Sequence, residues 1–466
     1  MSADRNFGAA VLSALGVALL LPGSALAAEP DAARADAAVR AYVEREGIPA
    51  AHVTVLRGDA VVLQRGYGAA LPGGPPPDAQ SIFPLGSISK QFTAALVVAL
   101  ADRGKLALDA PVGRYLPEWF ADEPGLRVEH LLWQVSGLAD FLWLEGYRKL
   151  ADDPATPKSA YVALAAAAPR RYAPGTRWSY SNTNYKALAL IAERTGGAPY
   201  DALLETHVLR PFGLTGIVPC HDLRPDQYVP GISQEGSLKP LDASRSAYAG
   251  DGGLCGNAAA LSAWLERAYV VRQGRPAALA RLTQPVRLSD GTLVPYGFGV
   301  STRPFLGREI VWHGGNVDSH STMIAWLPEQ DLRIVILAAR GFLWPTDLMP
   351  ALIGAEPPRP VASAGATIAG RFEDGLFRYE IAPDGAALRV EVDLLGPMRL
   401  VPAGPREFVA EDRPATFRLR LPPDGADDHF EFDWGEVRSY ARRQAYTHAL
   451  QHLRTLPMPA ARRDER

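Results

Sequence analysis

A chain of 466 residues, 47% hydrophobic and 21% charged, has enough apolar material for a large core plus a second domain, which excludes a disordered polymer. Its 48 basic and 51 acidic residues are mixed along the chain and leave a formal net charge of −3. That mixture offers no basic face for nucleic acid and no polybasic run for anionic lipid, and it fits a small-molecule or peptide substrate better.

The chain opens with Arg5, an apolar run from Ala9 to Leu21, then Pro22-Gly23 and Ala25-Leu26-Ala27. That order is expected to be a secretory signal over residues 1–28, with an exported, periplasmic or secreted product. An uncleaved anchor competes with this reading, but the run is shorter than the ~20 residues a bilayer needs, and no later run spans one. No stable membrane span is therefore expected after processing. Cys220 and Cys255 are the two cysteines. In an oxidising compartment they can pair, and otherwise they can pack as small hydrophobes.

Asp31–Glu46 has the apolar spacing of an amphipathic helix, ended by Gly47-Ile48-Pro49, and β-branched runs follow at Ala51–Leu56 and Ala60–Arg65. A long apolar stretch from Ser87 to Ala101 reads as a helix stopped at Gly104. From Leu106 to Leu214 the pattern is helical between Pro and Gly turns, which predicts an all-helical insertion. Alternation returns in Gly297–Thr302, Glu309–Trp312, Thr322–Leu327 and Leu332–Leu337, expected to complete the sheet begun by the N-terminal strands, and a helix is expected over Leu343–Ile353.

The proline-rich segment at 356–362 is the expected linker between a main domain, 29–355, and a small all-β barrel or sandwich, 363–466. Alternating segments at Phe377–Ile381, Ala387–Val392, Met398–Pro402, Thr416–Leu421 and His429–Trp434 support the latter. The expected fold class is thus α/β (α+β), an antiparallel sheet flanked by helices with an all-helical subdomain, plus the C-terminal barrel.

Three short motifs carry chemistry. In Ser87-Ile88-Ser89-Lys90 the serine and lysine share one face of a helix, so the amine can reach and activate the hydroxyl. The helix N-terminus supplies N–H groups where an oxyanion forms. In Tyr180-Ser181-Asn182, a tyrosine near a lysine can shuttle protons, and the Asn182 amide can bind a substrate carbonyl or hold Lys90. In His313-Gly314-Gly315, paired glycines on a strand mark a close backbone approach, here expected to be to substrate, and the Asn316 N–H is a candidate second oxyanion donor. Each motif taken alone also fits an ordinary helix face, surface turn or bulge. Each occurs once, however, in this order, and each falls in the type of element its role requires.

With Gly86–Phe92, Gly104–Asp109, His130-Leu131-Leu132 with Ser136-Gly137-Leu138, Pro174–Asn182 and Gly252-Gly253-Leu254, the chain resembles the beta-lactamase-related serine hydrolases. That family includes class C beta-lactamases, D-Ala-D-Ala carboxypeptidases, D-aminopeptidases and carboxylesterases. The resemblance implies a site in the cleft between sheet and helical subdomain. It also implies Ser87 as nucleophile, Lys90 and Tyr180 as base system, and His313 where many relatives carry lysine.

Two departures stand out. Leu131–Leu138 replaces the relatives' Leu-Leu-Thr-His-Thr-Ser-Gly-Leu, a change expected to affect packing more than chemistry. Asp318-Ser319-His320 replaces a Pro-Gly-Phe-like sequence and is expected to place a carboxylate and an imidazole at the cleft mouth. The expected function is ester or amide/peptide hydrolysis through an acyl-Ser87 intermediate, esterase-like or D-amino-acid-peptidase-like. The alternative is a penicillin-binding or sensor-type protein that acylates without efficient turnover. No cofactor and no metal is expected, since no His-x-His or His-Glu-x-x-His pair is present.

Overall fold

The computed structural model describes residues 31–443, apart from 70, 72, 154, 240–248, 271–279, 362–367, 374–376, 394, 424 and 435–436. The expected signal segment lies outside the described residues. Asp31 caps α1 (Ala32–Arg45), its carboxylate accepting from the N–H groups of Ala33 and Arg34. After the turn at Gly47, β1 (Ala50–Arg57) and β2 (Ala60–Gly68) form a hairpin. The long central helices are α2 (Ser89–Asp102), α3 (Asn182–Gly196) and α4 (Ala258–Ala268). Three more strands follow: β3 (Val311–Val317), β4 (His320–Leu327) and β5 (Leu332–Ala338).

These strands make one five-stranded antiparallel sheet in the order β3-β4-β5-β1-β2. Its central seam joins the two ends of the domain, with Val53 opposite Ile336 and Val55 opposite Ile334. One face packs on α1 and the chain after β5 through Val39, Val53, Ile334 and Leu352. The other face packs on α2 and α4. Helix α2 is apolar nearly all round and buried accordingly, as befits a helix enclosed between sheet and helical subdomain. Burial of Phe92 and Leu96, both at 0% exposure, is worth about 1.5–3 kcal/mol each.

Two expected elements differ. Gly297–Thr302 is not a sheet strand: beyond the isolated bridges of Ser301 to Tyr296 and Trp312 it is a loop. Gly299 has φ +75°, and a Cβ there would lie 2.8 Å from the Lys90 carbonyl carbon, so the segment is shaped to sit on the α2 backbone. The helix expected over Leu343–Ile353 is broken into a 3₁₀ turn, Pro345–Leu348, and one α turn, Met349–Leu352, because Pro345 and Pro350 interrupt the backbone ladder.

Beyond 355–361, which carries no regular secondary structure, eight antiparallel strands close into a barrel. They are β6 (Gly370–Glu373), β7 (Arg378–Asp384), β8 (Ala387–Val392), β9 (Gly396–Gly404), β10 (Glu407–Ala410), β11 (Phe417–Arg420), β12 (His429–Trp434) and β13 (Val437–Arg443). Phe372, Tyr379, Val390, Phe430 and Phe432 fill its interior. The barrel is tied to the main domain by Arg413, which reaches Asp347 (2.6 Å) and Glu46 (3.0 Å), and by an Arg303–Asp433 ion pair. Trp434 packs on the apolar cluster that also holds Trp178, Tyr180 and Tyr296.

Cys220 and Cys255 form a disulfide with Cα atoms 4.9 Å apart. It braces the short strand Leu254–Gly256, which pairs on one side with Phe83–Pro84, just ahead of Ser87, and on the other with Ile217–Pro219. The chain-entropy treatment gives such a link about 3–4 kcal/mol. Replacing both cysteines with serine is expected to lower the free energy of urea unfolding by about that amount. An unchanged denaturation midpoint would refute it.

Candidate active site

The site assembles where the start of α2, the start of α3 and strand β3 converge. Leu85 runs into a 3₁₀ turn, Gly86–Ile88, so Ser87 sits on that turn rather than in the α-helix proper, which begins at Ser89. Three contacts fix the turn: Leu85 N–H donates to the Leu254 carbonyl (2.9 Å), the Leu254 N–H donates to Ser89 Oγ (3.1 Å), and Thr322 Oγ1 donates to the Leu85 carbonyl (3.0 Å).

Gly315 has the close approach expected of it, but to protein. A Cβ there would stand 2.0 Å from the Leu85 carbonyl oxygen. Gly86, at φ +54°, in turn lies against the Asn316 main chain, where a Cβ would be 2.8 Å from the Asn316 nitrogen. The two glycines let β3 and the serine turn touch backbone to backbone. The Asn316 nitrogen thereby lies against Gly86, the residue before Ser87, while the Asn316 side chain accepts from Ser321 Oγ (2.6 Å).

Lys90 is fully buried. Its Nζ lies 3.0 Å from Ser87 Oγ, 2.7 Å from Asn182 Oδ1 and 2.7 Å from the Asp251 carbonyl oxygen. An ammonium donates to all three. A neutral amine satisfies the same set, giving two hydrogens to Asn182 and Asp251 and turning its lone pair to the Ser87 hydroxyl. The geometry therefore serves both charge states, which is what proton exchange between Ser87 and Lys90 requires. The Tyr180 ring faces the same Nζ at 4.9 Å, with the Tyr185 ring at 5.8 Å.

The aspartate that orients Asn182 was not visible in the sequence motifs. Asp140 Oδ2 accepts from the Asn182 main-chain N–H (3.0 Å) and from its Nδ2 (2.9 Å), which turns Oδ1 towards Lys90. Asp140 thus caps α3 from another segment. Burial raises its carboxyl above the usual range, against hydrogen bonds and the Lys90 charge that pull it down. Gln134, at the position of the relatives' histidine, does more than pack: its Oε1 accepts from the Ser181 N–H (3.0 Å) and Asn184 Nδ2 (2.5 Å), tethering the segment that carries Tyr180.

His313 is fully buried. Its Nδ1 donates to the Gly314 carbonyl (2.6 Å), so Nε2 accepts from the Tyr296 hydroxyl (3.0 Å). Desolvation, reinforced by the charge of Lys90, pushes the imidazole down to about 3, so it is neutral at pH 7. Its ring lies 6.2 Å from that of Tyr180, and Tyr296 packs edge-on to both. The structure therefore brings Ser87, Lys90, Tyr180, Asn182, His313 and the main chain of Gly314, Gly315 and Asn316 into one region.

His320 departs from expectation. It is buried rather than at the cleft mouth, with Nε2 donating to the Val229 carbonyl (2.9 Å) and Nδ1 accepting from Ser319 Oγ (2.8 Å), because it faces inward on β4. Asp318, on the turn, is exposed.

A helix-flanked antiparallel sheet with Ser-x-x-Lys at the head of its central helix defines the active-site-serine folds of the penicillin-binding type. The Beta-lactamase family model matches residues 35–353, and the chain belongs to that family. It is 30% identical over 391 residues to a D-aminopeptidase of Gluconobacter oxydans (strain 621H), covering 77% of this chain and 70% of that protein. A D-aminopeptidase of Brucella anthropi is 28% identical over 289 residues, covering 61% of this chain but only 55% of the relative's length. Among solved structures, the octameric penicillin-binding protein homologue from Pyrococcus abyssi superposes with a TM-score of 0.61 at 20% identity, over 88% of this chain and 100% of that one, a likeness of fold.

Asp140→Ala releases the Asn182 amide, and a misplacement on the scale of an ångström is expected to lower kcat/KM on the order of 10²-fold. Steady-state assay of a variant whose circular dichroism matches the parent's checks this, and undiminished turnover refutes it.

Burial pushes His320 down to about 4, so the unfolded chain binds a proton in the window from about 6.5 to 4 that the folded chain does not. Stability is whole above that window and is lost as pH falls through it. The advantage of the parent over His320→Gln in thermal melts is expected to shrink by about 1–2 kcal/mol between pH 7.5 and 5. A constant gap refutes it.

Proposed function

We propose that the protein is a serine hydrolase that cleaves amide or ester bonds through an acyl-Ser87 intermediate. The observation that carries the reading is the 3.0 Å contact between Lys90 Nζ and Ser87 Oγ, held by Asn182 and the Asp251 carbonyl. In the acylation step Lys90, with Tyr180 as partner, takes the hydroxyl proton while Ser87 Oγ bonds to the substrate carbonyl carbon. The N–H groups of Ser87 and Asn316 stabilise the oxyanion. Collapse of the tetrahedral intermediate expels the amine or alcohol, which leaves with the proton handed back through Tyr180. Water then repeats the cycle on the acyl-enzyme.

The relatives' D-aminopeptidase names favour amides or peptides with an N-terminal D-residue. Neutral His313 supplies no fixed cation for a substrate carboxylate, which favours esters and amides over cephalosporins. The disulfide supports our further reading that the chain works in an oxidising compartment, exported to the periplasm or medium.

Intact-mass analysis after a fluorophosphonate probe is expected to give one adduct, absent in Ser87→Ala. A panel of p-nitrophenyl esters, D-amino-acid amides, D-Ala-D-Ala peptides and nitrocefin is expected to show turnover of an ester or amide well above nitrocefin. An adduct that survives Ser87→Ala, or nitrocefin as best substrate, overturns the reading. A stoichiometric burst with no steady state would instead indicate the acylating sensor.

A further inference from the structure

Asp251 faces two lysines with two different groups. Its carbonyl oxygen accepts from Lys90 (2.7 Å), and its carboxylate Oδ1 lies 2.9 Å from the Nζ of Lys186. The Lys186 side chain is 0% exposed and that of Asp251 5%. Lys186 stands four residues after Asn182 on the same face of α3, and its Nζ lies 5.1 Å from the Phe141 ring and 5.1 Å from the Tyr161 ring.

Such a pair has no evident purpose as a stabiliser. Removing two charges from water is costly, and apolar residues of similar volume usually do as well or better. Its placement is informative instead. The preceding residue, Gly250, is threaded between α2 and α3 at φ +94°: its carbonyl accepts from Thr93 Oγ1 (2.6 Å), and a Cβ would stand 2.5 Å from the Tyr185 carbonyl oxygen. The stretch from Gly250 to Leu254 thus reaches Thr93, Lys90 and Ser89 along one side of α2.

We propose that the Lys186–Asp251 pair is a positioning element for the proton-handling lysine: it fixes the segment whose carbonyl binds Lys90, and it cancels a carboxylate charge that would otherwise lock Lys90 as an ammonium. The inference rests on the reading of Lys90 as part of the catalytic base. Around Lys90 stand Ser87, Asn182, Asp140, Asp251, Tyr180, Tyr185 and neutral His313. Around Lys186 stand Asp251, Asp140, Tyr161 and Lys158, the last paired with Glu193 at 2.6 Å. With Lys186 in place, the two buried aspartates are matched by two buried lysines. Removing Lys186 alone leaves a surplus negative charge beside Lys90. The ammonium is then favoured, and deprotonation of the base moves to higher pH.

The test is the acid limb of the kcat/KM profile, measured on the best ester or amide of the panel, for the parent, Lys186→Met, Lys186→Arg and the charge-neutral pair Lys186→Met with Asp251→Asn. Lys186→Met is expected to move the limb upward by about one unit or more. Lys186→Arg and the double variant are expected to leave the limb near the parent's position, whatever they cost in rate. A merely structural pair would lower kcat in all three without moving the limb, and an unmoved limb in folded Lys186→Met overturns the proposal. Should that variant not melt cooperatively, Lys186→Gln takes its place with the same expectation and the same refutation. Probe labelling at Ser87 separates the two levels: a parent that is not labelled there refutes the serine-hydrolase reading, whereas labelling with an unmoved limb refutes the positioning pair alone.

Discussion

Much of the site follows from one lysine taken out of water. Buried among carbons, the amine of Lys90 has to be met by oxygens, and it is met by a hydroxyl, an amide and a backbone carbonyl drawn from three distant parts of the chain. Each of those oxygens needs its own support. Asp140 turns the Asn182 amide, Gly250 lets the Asp251 segment pass between two helices, and the Gly86–Gly315 contact presses the serine turn onto the sheet. The packing of the helical subdomain on the sheet therefore also sets the chemistry.

The residues that were legible in the sequence are those whose relation is local. Ser87 and Lys90 are one helical turn apart, Tyr180 and Asn182 two residues apart, and the alternation in Ala387–Val392 is written directly in its burial along β8. Asp140 and Lys186 were not legible, because no short motif links them to Lys90: the first reaches it through Asn182 and the second through Asp251, contacts made only in the folded chain. The glycine pair was read as a close approach to substrate; Gly315 does approach closely, but its partner is the Leu85 carbonyl, which no sequence pattern names. His320 was misplaced because a strand residue next to a turn points inward or outward according to register, which pairing with β3 and β5 decides. The four-residue strands β6 and β10 were not read, whereas the equally short β11 was, because alternation there continues into its flanks over Thr416–Leu421.

The barrel is more than an appended body. Trp434 shares an apolar cluster with Tyr180 and Tyr296, and the next residue back, Asp433, is paired with Arg303 on the main domain. Arg413 adds a second tether to Asp347 and Glu46, next to α1. Through Trp434 the barrel rests on the apolar cluster that carries the Tyr180 ring.

The sheet seam between β1 and β5 has a consequence for how the molecule comes into being. During vectorial synthesis the first hairpin emerges with the β1 edge bare, and Val53 must wait for Ile336 before that edge is covered. The intervening helices can collapse around α2 sooner, yet the platform beneath them is not finished until the last strand arrives. Maturation is thus gated late and all at once: a truncated or stalled chain presents an open β-edge to its neighbours rather than a partly working enzyme.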